Sequence, residues 1–308
     1  MQAAVEVNRF TKRYGDFTAV SEISFRVAPG EIFGLLGPNG AGKTSTLECL
    51  EGLRTADQGE LSILGINPGR EPHRLRNLIG VQLQASGLPA VMTVQEAVRF
   101  FCAYHQVPPR DDLIERMGLG EKRHTQYGQL SVGQQRRLAL ALAVAHRPPV
   151  VFLDEPTAGL DVASRVELHS LMQELKASGS AILLATHDMA EAEKLTDRVA
   201  ILLRGQIVAE GTPLELTATG SGFTKISVRT EEAALQANGH AGEPSFRGVA
   251  HHQVTEEYAV YYSAEPGQTV VALMDYINQQ GDKLIDLRVE RPTLEERFLE
   301  ITHLGEPQ

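Results

Sequence analysis

The sequence predicts an α/β fold followed by a small α+β domain, and three observations carry that reading. First, apolar runs at Glu31–Leu36, Val150–Leu153 and Ala181–Ala185 alternate with segments of helical spacing, as buried strands and their covering helices do. Second, the run Gly37-Pro38-Asn39-Gly40-Ala41-Gly42-Lys43-Thr44 sits between such a strand and the helix Lys43–Leu50. Third, beyond residue 222 the order of elements becomes β-α-β-β-α-β, the ferredoxin-like signature.

The Gly-rich run is a P-loop, a Gly followed four residues later by Gly-Lys-Thr. Its glycines let the backbone turn tightly and aim N–H groups inward at an anion. The following helix adds its partial positive end to the same place. Lys43 supplies a mobile charge for the β- and γ-phosphates, the Thr44 hydroxyl is the expected Mg²⁺ ligand, and Ser45 continues the cradle. The expectation is a nucleoside triphosphate bound with magnesium, on an α/β P-loop NTPase core.

Composition narrows the setting. The chain has 308 residues, 42% hydrophobic and 22% charged, which are the proportions of a globular protein long enough for one large domain or a medium one plus a small one. The 39 acidic residues outnumber the 29 basic ones, a formal net charge of −10. The basic residues are dispersed, so nucleic acid is not expected as a partner. Cys49 and Cys102 are the only cysteines, and they form neither a disulfide framework nor a Cys-x-x-Cys metal site. The longest apolar runs, such as Leu138–Ala145, fall far short of the roughly 20 residues of a membrane span. The first residues lack the layout of a signal peptide. A cytoplasmic location is expected, with membrane contact only through a partner.

In chain order, Ala3–Phe10 and Ala19–Val27 alternate like half-buried antiparallel strands around a turn at Arg13–Asp16. A strand is expected at Gly59–Leu64, a short helix at His73–Leu78 and a buried strand at Ile79–Leu83. Residues 85–147 then read as a helical insertion, with helices at Thr93–His105, Asp111–Met117 and Ser131–Ala145. Helices at Ala163–Ala177 and Met189–Leu195 and a strand pair at Arg198–Leu203 and Gln206–Ala209 complete a domain over 1–217. Residues 218–222 (ATGSG) read as a linker. The accessory domain, 223–308, is expected to hold strands at Phe223–Arg229, Gly248–Thr255, Glu257–Ser263 and Leu284–Glu290. Its helices are expected at Glu231–Ala237 and Thr269–Gln279, with a closing helix at Thr293–Thr302. His240, His251 and His252 lack matching ligand spacing and read as surface histidines.

Two further motifs carry chemistry. Val150–Glu155 (VVFLDE) is a buried strand tipped by two carboxylates. Beside a P-loop, Asp154 is placed to hold Mg²⁺ and Glu155 to act on the attacking water. Leu130-Ser131-Val132-Gly133-Gln134 is a second Gly-containing helix start, hence a second anion site. The P-loop already holds the chain's own phosphates, so this site makes sense against a γ-phosphate bound to another copy.

Here the sequence resembles the ATP-binding subunits of ABC transporters, whose signature reads Leu-Ser-Gly-Gly-Gln. The resemblance extends over about residues 1–217. It implies a core with an antiparallel β subdomain and a helical subdomain. It also implies a dimer of ATP-binding subunits, homo- or heteromeric, whose sites take Ser131, Gly133 and Gln134 from the second chain. Gln84 matches the Q-loop that senses Mg²⁺ and the water, with Gln82 as a competitor. Asp161, in Ala158-Gly159-Leu160-Asp161, matches the D-loop at the dimer contact. His187, in Ala185-Thr186-His187-Asp188, matches the switch histidine that touches the γ-phosphate. Tyr14 matches the aromatic residue that stacks on adenine, with Phe17 as the fallback. Val132 departs from the family's Gly, and a stiff β-branched residue there would resist a positive φ. Residues after about 220, ending in Arg291-Pro292-Thr293-Leu294-Glu295-Glu296-Arg297-Phe298-Leu299, resemble the appended domain of drug-exporter ATPases of the daunorubicin-resistance type.

The resemblance thus implies an ATPase subunit of an exporter, driving a separate membrane permease for drug- or antibiotic-like substrates and attached to the inner face of the membrane through it. The Gln84 region and the helices after it are the expected docking surface. The alternative is a non-transport ATPase of the same family acting on another macromolecule.

Overall fold

A computed structural model describes residues 2–82, 87–218, 223–232, 235, 246–255 and 257–304, and the chain divides into two compact units, Met1–Pro213 and Leu214–Gln308. In the first unit, β1 (Val5–Tyr14) and β2 (Phe17–Val27) form a hairpin, followed by β3 (Ile32–Leu36) and α1 (Lys43–Leu50). Next come β4 (Gln58–Ile63), α2 (Pro72–Leu75) and β5 (Ile79–Gln82). The helices α3 (Val94–Tyr104), α4 (Asp111–Arg116) and α5 (Val132–Val144) follow in succession. Strand–helix alternation then resumes with β6 (Val150–Asp154), α6 (Val162–Ala177), β7 (Ala181–Thr186), α7 (Met189–Leu195), β8 (Arg198–Leu203) and β9 (Gln206–Gly211).

A six-stranded sheet of order β5-β6-β7-β3-β8-β9 forms the centre of this unit, parallel except for β9. Every residue of β3, β6 and β7 is buried, because apolar layers cover both faces of the sheet. One layer contains α1 and a three-stranded antiparallel sheet, β2-β1-β4, with Phe25 stacked on Phe33 at 5.1 Å. The other contains α3, α5 and α6, packed through residues such as Val98, Leu138, Leu140 and Leu171. Each fully buried Phe or Leu contributes roughly 1.5–3 kcal/mol, so the strand tips that carry polar groups are rigidly anchored.

Several boundaries differ from the sequence-based expectation. The expected turn at Arg13–Asp16 is only Gly15-Asp16, and Tyr14 is the last residue of β1, paired with Phe17. Gly15 accepts φ of +58°, which lets a two-residue connection close the hairpin. Thr93 caps α3 with a full capping box, reciprocated by Glu96.

In the second unit, β10 (Thr224–Thr230), β11 (Val249–Val254), β12 (Ala259–Ser263) and β13 (Leu284–Glu290) form an antiparallel sheet of order β11-β12-β10-β13. Numbered within the domain that order is 2-3-1-4, as a ferredoxin-like β-α-β-β-α-β chain makes it. Ile226, Val228, Tyr261, Leu273 and Ile277 form its core. α8 (Pro213–Ala218) precedes the sheet and was not expected, so Ala218 is helical rather than the first linker residue. Residues 219–222 lie outside the described ones. α9 (Pro266–Gln279) starts earlier than expected because Pro266 occupies a first-turn position, where its missing N–H costs nothing. α10 (Leu294–Leu304) is the last described element. Most of the helix expected at Glu231–Ala237 also lies outside the described residues, as does His240. His251 stacks on Tyr262 at 4.1 Å, and no cluster of potential metal ligands occurs among the described residues. No helix among them is long and apolar enough to cross a membrane.

Candidate nucleotide site

The P-loop leaves the buried strand β3 and turns into α1 through glycines that no other residue could replace without displacing backbone. A Cβ on Gly37 would lie 2.2 Å from the Leu202 carbonyl oxygen, and one on Gly42 (φ +107°) would lie 2.6 Å from that of Ala19. The turn borders a cleft of about 360 Å³ whose walls include Tyr14, Phe17, Asn39, Lys43, Asp154 and Glu155. Gly40, Gly42, Thr44 and Ser45 line it too, while Ala41 is buried beneath.

Lys43 is 6% exposed, and its Nζ donates to the carbonyl oxygens of Gly37 (2.7 Å) and Pro38 (3.2 Å). Its ammonium also lies 3.8 Å from Glu155 Oε1. Burial lowers the Lys43 pKa, while the charges of Glu155 and Asp154 pull it back up. Asp154, at the tip of β6, is 6% exposed and accepts a hydrogen bond from Thr44 Oγ1 at 2.9 Å. Burial raises its carboxyl above the ordinary range, opposed by that hydrogen bond. A hydroxyl and a carboxylate in contact at the mouth of a phosphate cradle are oxygen donors of the kind Mg²⁺ takes, with water and phosphate completing its shell.

Glu155 follows at φ +50°, a left-handed conformation for a non-glycine residue. Its N–H is tied to the Ala185 carbonyl at 2.9 Å, bringing the tips of β6 and β7 together. His187 Nδ1 lies 2.8 Å from Glu155 Oε1, and Thr186 Oγ1 donates to Glu155 Oε2 at 3.4 Å. Thr186 was not singled out in the sequence, although it sits between the β7 tip and His187. Tyr14, at the other end of the cleft, donates from its hydroxyl to Ser45 Oγ at 3.2 Å, with the Lys12 ammonium 5.3 Å from its ring centroid. Phe17 is 64% exposed beside it and is free to contact a planar group.

Ser131, Gly133 and Gln134 do not border this cleft. They form the start of α5, where the Gln134 N–H donates to Ser131 Oγ and the Ser131 N–H donates to Gln134 Oε1 at 2.9 Å. Val132 takes the first helical position with negative φ and is 66% exposed, so its β-branch meets none of the expected resistance. A Cβ on Gly133 would lie 3.6 Å from the Gly159 carbonyl oxygen, so this helix start neighbours the segment ending at Asp161. Asp161 caps α6 by accepting from Ser164 N–H and Oγ, both at 2.8 Å. Gln84 lies outside the described residues, two positions past the end of β5. Gln82 is buried, with its Oε1 unpartnered.

A groove of about 410 Å³ opens elsewhere on the same unit, between β5, α3 and α5. Phe101, Tyr104, Leu142 and the stacked rings of His105 and His146, 3.7 Å apart, give it apolar and aromatic walls.

Comparison with known proteins agrees with this geometry. Residues 20–158 match the ABC transporter family model. The chain is 35% identical over 308 residues to the Nod factor export ATP-binding protein I of Rhizobium meliloti (strain 1021), covering 97% of this chain and 88% of that one. It is 34% identical over 308 residues to the daunorubicin resistance ATP-binding protein DrrA3 of Streptomyces coeruleorubidus, covering 97% and 96%. A solved ATP-binding subunit of an ABC transporter superposes with a TM-score of 0.66 at 28% identity, covering 69% of this chain and 91% of its own. The dimeric bacterial cassette MJ0796 gives 0.62 at 25% identity, covering 68% and 98%. From the P-loop cleft to the appended sheet, the chain belongs to the ABC transporter family as one of its ATP-binding, ATP-hydrolysing subunits.

Proposed function

We propose that this chain powers an exporter by closing, as a pair with a second ATP-binding subunit, around two ATP molecules. The observation that carries the reading is the division of the site. The cleft gathers Lys43, Thr44, Asp154 and Glu155, with His187 against Glu155 at its edge, whereas Ser131–Gln134, a second helix start suited to an anion, borders none of it. A second copy brought head-to-tail supplies that helix start to the γ-phosphate, with Asp161 at the contact between chains.

Within the site, backbone N–H groups of Asn39–Thr44 and the Lys43 ammonium hold the phosphates, and Tyr14 stacks on the adenine. Thr44 and Asp154, joined by Gln84 as the family resemblance implies, would hold Mg²⁺, which would neutralise phosphate charge. Lys43 exchanges its carbonyl partners for phosphate oxygens. Glu155, freed from Lys43, takes the proton of the attacking water. His187, 2.8 Å from that carboxylate, orients it and reaches the γ-phosphate.

The exported compounds are drug- or antibiotic-like, by similarity to the relative named for daunorubicin resistance, and the relative named for Nod factor export supports the direction of transport. A separate permease carries them, holding this subunit on the inner membrane face. The apolar groove beside β5 suits a docking element of that permease. The pairing is tested with Ser131→Arg placed in a Glu155→Gln background. ATP should still bind, while ATP-dependent dimerisation measured by light scattering should disappear. Unchanged dimerisation would refute the shared site.

A further inference from the structure

Glu191 lies on α7, one turn past His187, and only 4% of it is exposed. A buried carboxylate normally needs a lysine or arginine, because removing it from water is costly. Here its only ion-pair partner among the described residues is His169, with Nε2 at 3.0 Å from Glu191 Oε1. The other oxygen, Oε2, accepts from Thr157 Oγ1 at 2.8 Å. Both oxygens are therefore committed, and each partner comes from a different element. Thr157 lies two residues after Glu155, on the loop that leads to Asp161, and its carbonyl accepts from the Leu160 N–H at 3.0 Å. His169 lies on α6, the helix that Asp161 caps.

The remaining contacts close a ring. The Glu191 N–H donates to Asp188 Oδ1 at 2.9 Å, and the Asp188 N–H donates to Thr186 Oγ1 at 3.0 Å. Thr186 donates in turn to the Glu155 carboxylate, and the chain itself joins Glu155 to Thr157. The path Glu155–Thr186–Asp188–Glu191–Thr157 thus closes through the residue assigned as the base. The left-handed backbone of Glu155 is held within this ring. We infer that Glu191 is a positioning residue: it clamps the Glu155–Asp161 loop to the start of α7 and to α6, so that the Glu155 carboxylate, His187 and the partner-facing Asp161 keep one register.

This inference rests on the assignment of Glu155 as the base, and its test separates the two. In the full chain, Glu191→Ala should lower kcat by roughly 10- to 100-fold, a misplacement of about 1 Å costing the upper figure, with KM and the affinity for a fluorescent ATP analogue unchanged. Glu191→Gln should restore turnover to within about threefold of wild type, because its amide oxygen still accepts from Thr157 and its N–H still donates to the other His169 tautomer. In a Glu155→Gln background, Glu191→Ala should produce no further loss, since residues acting as one unit are not additive. An equal further loss in that background, a fall in analogue affinity matching the fall in kcat, or an unchanged kcat would overturn the inference. Should Glu191→Ala not fold, Thr157→Val removes one arm of the clamp with little change in volume. It should lower kcat with KM unchanged, and wild-type turnover there would overturn the inference equally. Near-normal turnover in Glu155→Gln would defeat the functional assignment itself, whereas a crippled Glu155→Gln beside a fully active Glu191→Ala would defeat the inference alone.

Discussion

Glu51 caps the C-terminal end of α1 and borders the groove beside β5, where it is 8% exposed and its Oε2 has no hydrogen-bond partner. Burial, and then the negative charges of Asp154 and Glu48, push its carboxyl up to about 8. In the unfolded chain it returns to the ordinary glutamate range near about 4.3. Between those values the folded protein holds a proton that the unfolded chain has shed. The folded state binds more protons, so stability falls as pH rises through this window. The total is on the order of a few kcal/mol, complete above about pH 8 and absent below about pH 4. Glu51→Gln keeps the shape and removes the titration. Urea unfolding of both chains from pH 4 to pH 9 measures the difference. The Gln variant should gain on wild type steadily as pH rises, and the two should converge at the acid end. His146 has the opposite sign: burial lowers its imidazole to about 4, so its contribution to stability is lost as pH falls below about 6.5. It is present in both chains and cancels in the comparison. Stability curves that run parallel across the whole range would refute the reasoning.

Two further predictions concern the nucleotide cleft. Glu155→Gln keeps the contact with His187 but removes the base, so hydrolysis should slow by roughly 10²–10⁴-fold while ATP binding persists, as rapid-quench turnover and equilibrium binding would show. Tyr14→Phe should leave ATP affinity nearly unchanged, because it loses only the 3.2 Å hydroxyl contact to Ser45, whereas Tyr14→Ala should weaken it by roughly 1–3 kcal/mol of stacking in the same titration. Equal affinities for the Phe and Ala variants would shift the stacking role to Phe17.

The α/β core was legible because its strands are short apolar runs buried on both faces, and Val150–Asp154 and Ala181–Thr186 admit no other reading beside a P-loop. Helix starts were legible where a Ser or Thr caps them, as Thr93 and Ser131 do, whereas the Asp161 cap went unread and α6 begins one residue before the expected Ala163. The hairpin at Tyr14 was read too loosely because Gly15 allows a tighter turn than Arg13–Asp16 suggests. α8 escaped notice because its six residues are too few to show a period. At the site, motif spacing brought forward Lys43, Thr44, Asp154 and Glu155, and the family resemblance brought forward His187; their side chains meet within one cleft or touch each other across its edge. Thr186, Thr157, His169 and Glu191 were invisible to that reading. A buried Glu within a helix looks like a solvated one until the fold brings a Thr and a His from other segments against it.

The central claim is that each hydrolytic site is completed by a second chain, and subunit mixing tests it most directly. Lys43→Ala disables the phosphate cradle and Ser131→Arg disables the helix start, so each variant alone should hydrolyse ATP at background rate. In mixed dimers one site pairs the intact cradle of the Ser131→Arg chain with the intact helix start of the Lys43→Ala chain. Steady-state hydrolysis by an equimolar mixture should then recover to at most about one quarter of wild type, since random pairing makes about half the dimers mixed and each holds one complete site. Wild-type turnover by Ser131→Arg alone would contradict the account, because the cleft would then need nothing from a partner.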